Sequence, residues 1–236
     1  MLKEAADLLM PRECLVCGRE LSSKEEFLCI WCAADVPLTY YWEQPHNPMA
    51  DKLNAALEKL DPEVAQYSYA AALMFYHEDN PYKRIPRALK YQNNIPAGRY
   101  FARNLGRRLA LAPQFRDVDA VIPVPLHWMR KLRRGYNQAE ILASEIAKSL
   151  GVKMLPKALR RRRSTVSQTT LDAEDRLKNV SGVFQVRENL EGFRHLAVVD
   201  DTFTTGATLA ACINAIRTAA GPDVRISAIT LSVVDD

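Results

Sequence analysis

The stretch from residue 196 to residue 208, LAVVDDTFTTGAT, constrains the fold of this chain more than any other. Four apolar residues in a row suit a strand buried on both faces of a sheet. They lead directly into two adjacent acids, Asp200 and Asp201, and then into a turn of hydroxyl and glycine residues that opens a helix. An ordinary strand–turn–helix with a threonine cap explains the turn. It does not explain two carboxylates at the end of a hydrophobic strand, where charge is costly. In open α/β sheets ligands bind beyond the carboxyl ends of the strands, and a helix start offers N–H groups and partial positive charge to an anion. Gly206 allows close backbone approach, and Thr204, Thr205 and Thr208 bring hydroxyl donors. The two acids repel a phosphate, so they suit a neighbouring polyol, accepting hydrogen bonds from two ribose hydroxyls.

The chain around this stretch reads as α/β. Residues 118–124 form a second apolar run broken by Pro123 and Pro125, as expected of a buried strand that ends in a loop. Residues 138–150 make an amphipathic helix with Asn137 as N-cap and Gly151 just past its end. A strand is expected over 193–199, a helix over 207–219 and a third strand over 224–234. Upstream, 67–76 reads as a strand and 77–81 as a turn, and 97–112 carries Phe101, Leu105 and Leu109 at helical spacing. Strands alternating with helices imply a parallel sheet covered on both faces. Residues 33–66 hold Pro37, Pro45, Pro48 and Pro62 and read as a connector with a short helical stretch near 51–60.

The N-terminal part differs in character. Cys14, Cys17, Cys29 and Cys32 form two C-x-x-C pairs separated by eleven residues. Two thiolates in a tight turn grip one face of a metal, and two such turns complete a tetrahedron. Four sulfurs favour structural zinc, with iron the lesser option; two disulfides are the competing reading, disfavoured in a reducing compartment. Cys212 falls in the helix after the threonine turn and reads as core.

The 236 residues are 48% apolar and 25% charged, the profile of a soluble globular protein. No run approaches the roughly 20 apolar residues of a membrane span. Glu4 and Asp7 interrupt the place where a signal peptide needs an apolar run, so no membrane insertion and a cytoplasmic location are expected. The net charge of +4 is segregated: residues 1–80 hold 6 basic and 14 acidic side chains, and residues 81–134 hold 13 basic and 2 acidic. Such a distribution suggests that the middle of the chain meets phosphate, although solvated helix faces would also produce it. Within it, a loop at 123–138 places Arg130, Lys131, Arg133 and Arg134 on the same sheet edge as Asp200, ready for a diphosphate. His127 could join them. Arg160 to Arg163 begin a second basic stretch running through Gln168 to Arg176, an excursion between two strands that either closes over a bound anion or forms a surface hairpin. Neither an H-E-x-x-H pattern nor a Ser-His-Asp set is evident, which leaves hydrolase readings without support.

Residues 196–208 closely resemble the signature of type I phosphoribosyltransferases that binds 5-phosphoribosyl diphosphate (PRPP). The resemblance implies that Asp200 and Asp201 hold the ribose hydroxyls and that Thr202 and Thr204 to Thr208, with Gly206 and Ala207, wrap the 5′-phosphate. Arg130, Lys131 and Arg134 of the basic loop are the candidates to meet the diphosphate, and the resemblance implies that the stretch carrying Gln168 and Arg176 closes over the sugar, so that all five bind the ligand. Phe203 is bulkier than the aliphatic residue usual at its position. The combination of PVPLHWMRKLRRGYNQAE, R-x-x-S-T-V-S-Q, Asp175-Arg176, VVDDTFTTGAT and the segment Ala88-Leu89-Lys90-Tyr91 is similar to the ComF family, over nearly the whole chain. That implies a zinc-binding head at 1–36, a connector at 37–66 and a phosphoribosyltransferase-like domain at 67–236. It implies structural zinc, magnesium arriving with PRPP, and a link to DNA uptake or utilisation. An enzyme displacing diphosphate from PRPP is one expectation. A single-stranded DNA-binding or adaptor protein working with a competence or DNA-processing partner is another, and a PRPP-sensing regulator a third.

Overall fold

The structure is a computed structural model that describes residues 11–63, 66–162 and 182–234, and for Arg130 and Lys131 the backbone alone. Among the described residues seven strands follow one another: β1 Ala70–Tyr76, β2 Ala120–Pro123, β3 Lys153–Met154, β4 Leu159–Arg161, β5 Phe184–Val186, β6 His195–Phe203 and β7 Arg225–Val234. Seven α-helices of the same residues are interspersed: α1 Ile30–Ala34, α2 Pro48–Leu60, α3 Arg84–Tyr91, α4 Ile95–Leu109, α5 Trp128–Arg134, α6 Gln138–Leu150 and α7 Ala207–Ala220.

Local chemistry accounts for the helix starts. The Asn47, Asn94 and Asn137 side chains accept hydrogen bonds from Ala50 N, Ala97 N and Ala139 N at 2.9, 3.1 and 3.1 Å, satisfying donors that a helix start leaves free. Gly151 ends α6 in the left-handed region at φ 71°. Pro86 sits in the first turn of α3, where a missing N–H costs little.

Five strands form one parallel sheet in the order β1-β7-β6-β2-β3. The crossover from β2 through α6 to β3 steps along the sheet one way, and that from β6 through α7 to β7 steps the other. Right-handed crossovers therefore put α6 and α7 on opposite faces. α4 packs on α6, and α2 packs on α7. The α4–α6 contact is close: a Cβ at Gly106 would come within 2.6 Å of Ser149 Cβ. Both faces of the sheet are covered, so Val198, Val199, Ile226 and Ile229 are fully buried, as a parallel sheet requires.

Several sequence expectations change here. The strand expected over 193–199 continues through both acids to Phe203, because Asp200, Thr202 and Phe203 pair with Thr230, Ser232 and Val233 of β7. Part of the expected basic loop is the seven-residue helix α5, and the run of cations there had masked its helical character. The proline-rich segment supplies α2, whose Met49, Leu53 and Leu57 are buried in the same core as α7. Arg160 and Arg161 belong to an antiparallel hairpin, β4–β5, set apart from the main sheet. Residues 163–181 lie outside the described residues, and with them the expectations for Gln168 and Arg176.

Candidate functional site

The carboxyl ends of the parallel strands converge on the turn after β6. Gly206, at φ 76°, occupies the N-cap of α7 and has no side chain to cap it; Thr205 Oγ1 accepts from Ala207 N at 3.5 Å. A Cβ at Gly206 would come within 2.9 Å of the Phe203 ring, which is 1% exposed and packs beneath the turn. Both backbone angle and space therefore call for glycine. The bulky Phe203 forms the floor of the turn. Thr204, Thr205 and Thr208 are exposed around the helix tip and Ala207 is half-buried, so nothing plugs it. An open helix start ringed by hydroxyls is suited to an anion.

One of the two acids is paired with a cation. Lys90 reaches across from α3, its Nζ 3.1 Å from Asp201 Oδ1 and donating to Thr202 Oγ1 at 2.9 Å. Thr202 Oγ1 also lies 3.1 Å from Ser232 Oγ. Asp201 N donates to Asp200 Oδ1 at 2.8 Å. Burial, reinforced by the Asp201 charge, pushes the Asp200 carboxyl up to about 7, against the pull of Lys90 and Arg161. Sequence reasoning quoted Lys90 within a four-residue resemblance but gave it no role. Its partners lie 111 and 112 residues away along the chain, and no local spacing reveals that.

Of the expected diphosphate cations, Arg134 lines a hollow of about 360 Å³ together with Lys90. Its guanidinium lies over the Tyr91 ring, 5.4 Å from the centroid. Arg130 and Lys131 are placed only by backbone, on α5. His127 lines a separate, larger cleft with the Arg160–Arg162 run.

At the N-terminus the four cysteine sulfurs lie within 4.8 Å of one another, with Cys17 Sγ and Cys29 Sγ 3.7 Å apart. All four are free thiols. The edge of a ZnS₄ tetrahedron with 2.3 Å bonds is about 3.8 Å, which this spacing matches. Burial raises the Cys14 thiol, but backbone N–H groups of Cys17, Cys29 and Val16 outweigh it and bring the thiol to about 6, while burial and the neighbouring thiols push Cys32 well up. Thiolates crowded this closely call for a cation, and the four-sulfur set fits zinc. The head is tied to the rest of the chain through hydrogen bonds from Arg84 Nη1 to Val16 O at 2.9 Å and from Tyr82 Oη to Cys32 O at 2.9 Å.

One arrangement contradicts the sequence reading. Asp117, His195 and Ser227 assemble a Ser-His-Asp set, with His195 Nδ1 2.9 Å from Asp117 Oδ1 and His195 Nε2 2.8 Å from Ser227 Oγ. It escapes sequence inspection because the three residues come from separate segments. It lies at the amino ends of β6 and β7, away from Asp200, and His195 and Ser227 are fully buried. A nucleophile that no substrate can reach is a structural hydroxyl, so the hydrolase reading stays without support.

No protein-family model matches the chain. It is similar to the protein of Haemophilus influenzae named Competence protein F, 34% identical over 151 residues that cover 60% of this chain and 64% of that protein. It is similar to the DNA utilization protein YhgH of Escherichia coli, 37% identical over 92 residues covering 39% and 40%, and to that of Salmonella typhi, 30% identical over 133 residues covering 55% and 58%. The chain thus spans less than two thirds of the length of each of these relatives. Among the described residues no helix is long and apolar enough to cross a membrane. The relatives to which this chain is similar are named for competence and for DNA utilisation.

Proposed function

We propose that this chain is a ComF-family, phosphoribosyltransferase-like protein that binds PRPP at the end of β6 and serves DNA uptake or utilisation. The observation that carries the reading is the juxtaposition of two acids at a strand end with a glycine-started helix bearing three exposed threonines. Asp200 and Asp201 accept the ribose hydroxyls, and the α7 tip holds the 5′-phosphate. Lys90 fixes Asp201 and faces the same hollow as Arg134, which is suited to the diphosphate. Magnesium travels on the diphosphate oxygens rather than in an all-protein cage. Where a nucleophile is supplied, its lone pair bonds to the anomeric carbon of the ribose. The carbon–oxygen bond to diphosphate breaks, the electron pair leaves with the diphosphate, and the nucleophile's proton passes to solvent. Zinc in the four-thiolate head is structural, and free thiols suit a reducing cytoplasm. The relatives' names supply the link to DNA.

Calorimetric titration of the full chain with PRPP and Mg²⁺ tests this reading. Saturable binding is expected, weakened roughly 100-fold or more in the Asp200→Asn, Asp201→Asn double variant, as the loss of two charge-assisted hydrogen bonds implies. No heat with the wild type, or unchanged affinity in the variant, would overturn it. Diphosphate release on adding a nitrogenous acceptor then distinguishes a transferase from a PRPP sensor.

A further inference from the structure

A groove of about 700 Å³ runs between the four-cysteine head and α4. It adjoins a mostly apolar recess of about 100 Å³, with Leu28, Ala33 and Tyr100 in the walls of both. Val36, Leu38 and Phe101 complete the apolar lining of the recess. The walls are held in place. The Phe27 ring of the head meets the Tyr100 ring of α4 with centroids 5.3 Å apart. Beside the recess, Arg108 Nη1 donates to Asn104 O at 3.1 Å, and its guanidinium lies over the Trp42 ring, 5.3 Å from the centroid. Ile30, 68% exposed, lines the head side of the groove.

The α4 side of the groove is basic. Arg103 and Arg107 line it, and Arg99 continues their row, so three exposed arginines at four-residue spacing share one helix face. Lys24 lines the opposite side, from the head. Two nearby carboxylates are already engaged. Glu145 serves both Arg103 and Lys148, at 3.1 and 2.8 Å. Glu25 accepts from Ser22 N and Ile30 N, one on each carboxylate oxygen, both at 2.7 Å. The side chains of Lys24, Arg99 and Arg107 make no ion pair or hydrogen bond among the described residues. Glu26 is the other acid of the groove.

We infer that this groove docks an acidic peptide segment of a partner protein, with one aliphatic side chain in the recess and carboxylates on Lys24, Arg99 and Arg107. The recess decides the class of partner. A benzene ring fills a cavity of about 150 Å³. A recess of about 100 Å³ therefore takes a leucine or valine side chain and excludes a nucleobase. A nucleic-acid strand would meet the arginines and leave the recess empty, and a purely apolar segment would leave the arginines unmatched. An acidic peptide with an aliphatic anchor satisfies both, as a buried side chain within a rim of charge-assisted hydrogen bonds. The assignment stands on the groove alone and does not depend on the proposed PRPP site.

The test is a calorimetric titration of the full chain with a short capped peptide of glutamates around one leucine. The same peptide with glycine for leucine, and a single-stranded oligonucleotide, serve as comparisons. The leucine peptide is expected to bind at least about tenfold more tightly than the glycine peptide, as burial of one aliphatic side chain implies. Arg107→Glu, at an exposed position, should weaken it about tenfold or more by turning attraction into repulsion. Ala33→Phe, exposed beside the recess, should do the same by filling it. Both variants should keep the wild-type Tm and PRPP titration, and Arg107→Glu decides alone should Ala33→Phe lower Tm. The inference is overturned if the leucine peptide does not bind, binds no better than the glycine peptide, or is indifferent to Arg107→Glu. Tighter, Arg107-dependent binding of the oligonucleotide would make the face a nucleic-acid interface, and self-association abolished by Arg107→Glu would assign it to a second copy; either result overturns the inference. Failure of the PRPP titration alongside the expected peptide binding would remove the proposed function and leave the groove assignment standing.

Discussion

The four-cysteine head and the β6 strand end are held in shape by different means. Among its described residues the head has one five-residue helix, α1, with no buried residue, and exposes Ile30 and Trp31. Its shape depends on four sulfurs drawn together, on the buried Val16, Leu21 and Leu28, and on a few backbone ties. The strand end is embedded in a sheet, with β6 flanked by β2 and β7 and its apolar residues fully buried. The sheet builds the second site before any ligand arrives, whereas the first needs its ligand to be a site. Small metal-held units fold on binding, and sheet edges are pre-formed.

The largest effect that would sharpen this contrast comes from Cys14→Ser. Elemental analysis should find one zinc per wild-type chain and close to none in the variant, since structural zinc contributes on the order of 10 kcal/mol. Amide exchange should rise in the head and remain slow in β6 and β7. Equal loss of protection in both regions would break the comparison.

Lys90→Met comes next. Taking the cation from Asp201 should weaken PRPP by roughly tenfold to 100-fold, about 1.5–3 kcal/mol, in the same titration. Unchanged affinity would show that the strand end holds its acids unaided.

Asp200 offers a pH handle. Its carboxyl titrates near 7 in the fold and near 3.8 as a free side chain. The folded state therefore binds more protons between these values, and stability falls as pH rises from about 4 to 7, then levels off. Asp200→Asn should remove that slope and raise Tm at pH 8 by several degrees, taking roughly 2–4 °C per kcal/mol. A melting series in both proteins from pH 5 to 8 checks the sign. Gly206→Ala should cost about 1–2 kcal/mol from its left-handed backbone alone, read as a lower midpoint in urea. The smallest effect is expected from Tyr82→Phe, which deletes the hydroxyl tie to Cys32 O at a cost of about 1 kcal/mol and should raise exchange in the head alone.

What the sequence revealed and what it hid divide along the same physical line. The α6 helix runs over the residues its pattern indicated, because Asn137, Gly151 and the apolar face act locally. The cysteine spacing likewise encodes its own cluster. The extension of β6 through Asp200 and Asp201 was hidden because acids are poor strand residues taken alone, and pairing of Asp200 with Thr230 and of Thr202 with Ser232 of β7 keeps this stretch extended. Lys90 was hidden because its partners come from another element. Trp128 and the hairpin arginines were visible as residue types, but the cleft they form is a product of tertiary packing.

The Asp117–His195–Ser227 set has a consequence at the far rim of the sheet. His195 begins β6, Ser227 lies near the start of β7, and their hydrogen bond pins the two strands to a single register. A slip of one residue would turn every side chain of β6 to the opposite face, exchanging the positions of Asp200 and Asp201 some five residues, or about 17 Å, downstream. A polar staple in the dark end of the sheet thus acts as the ruler by which the lit end is measured.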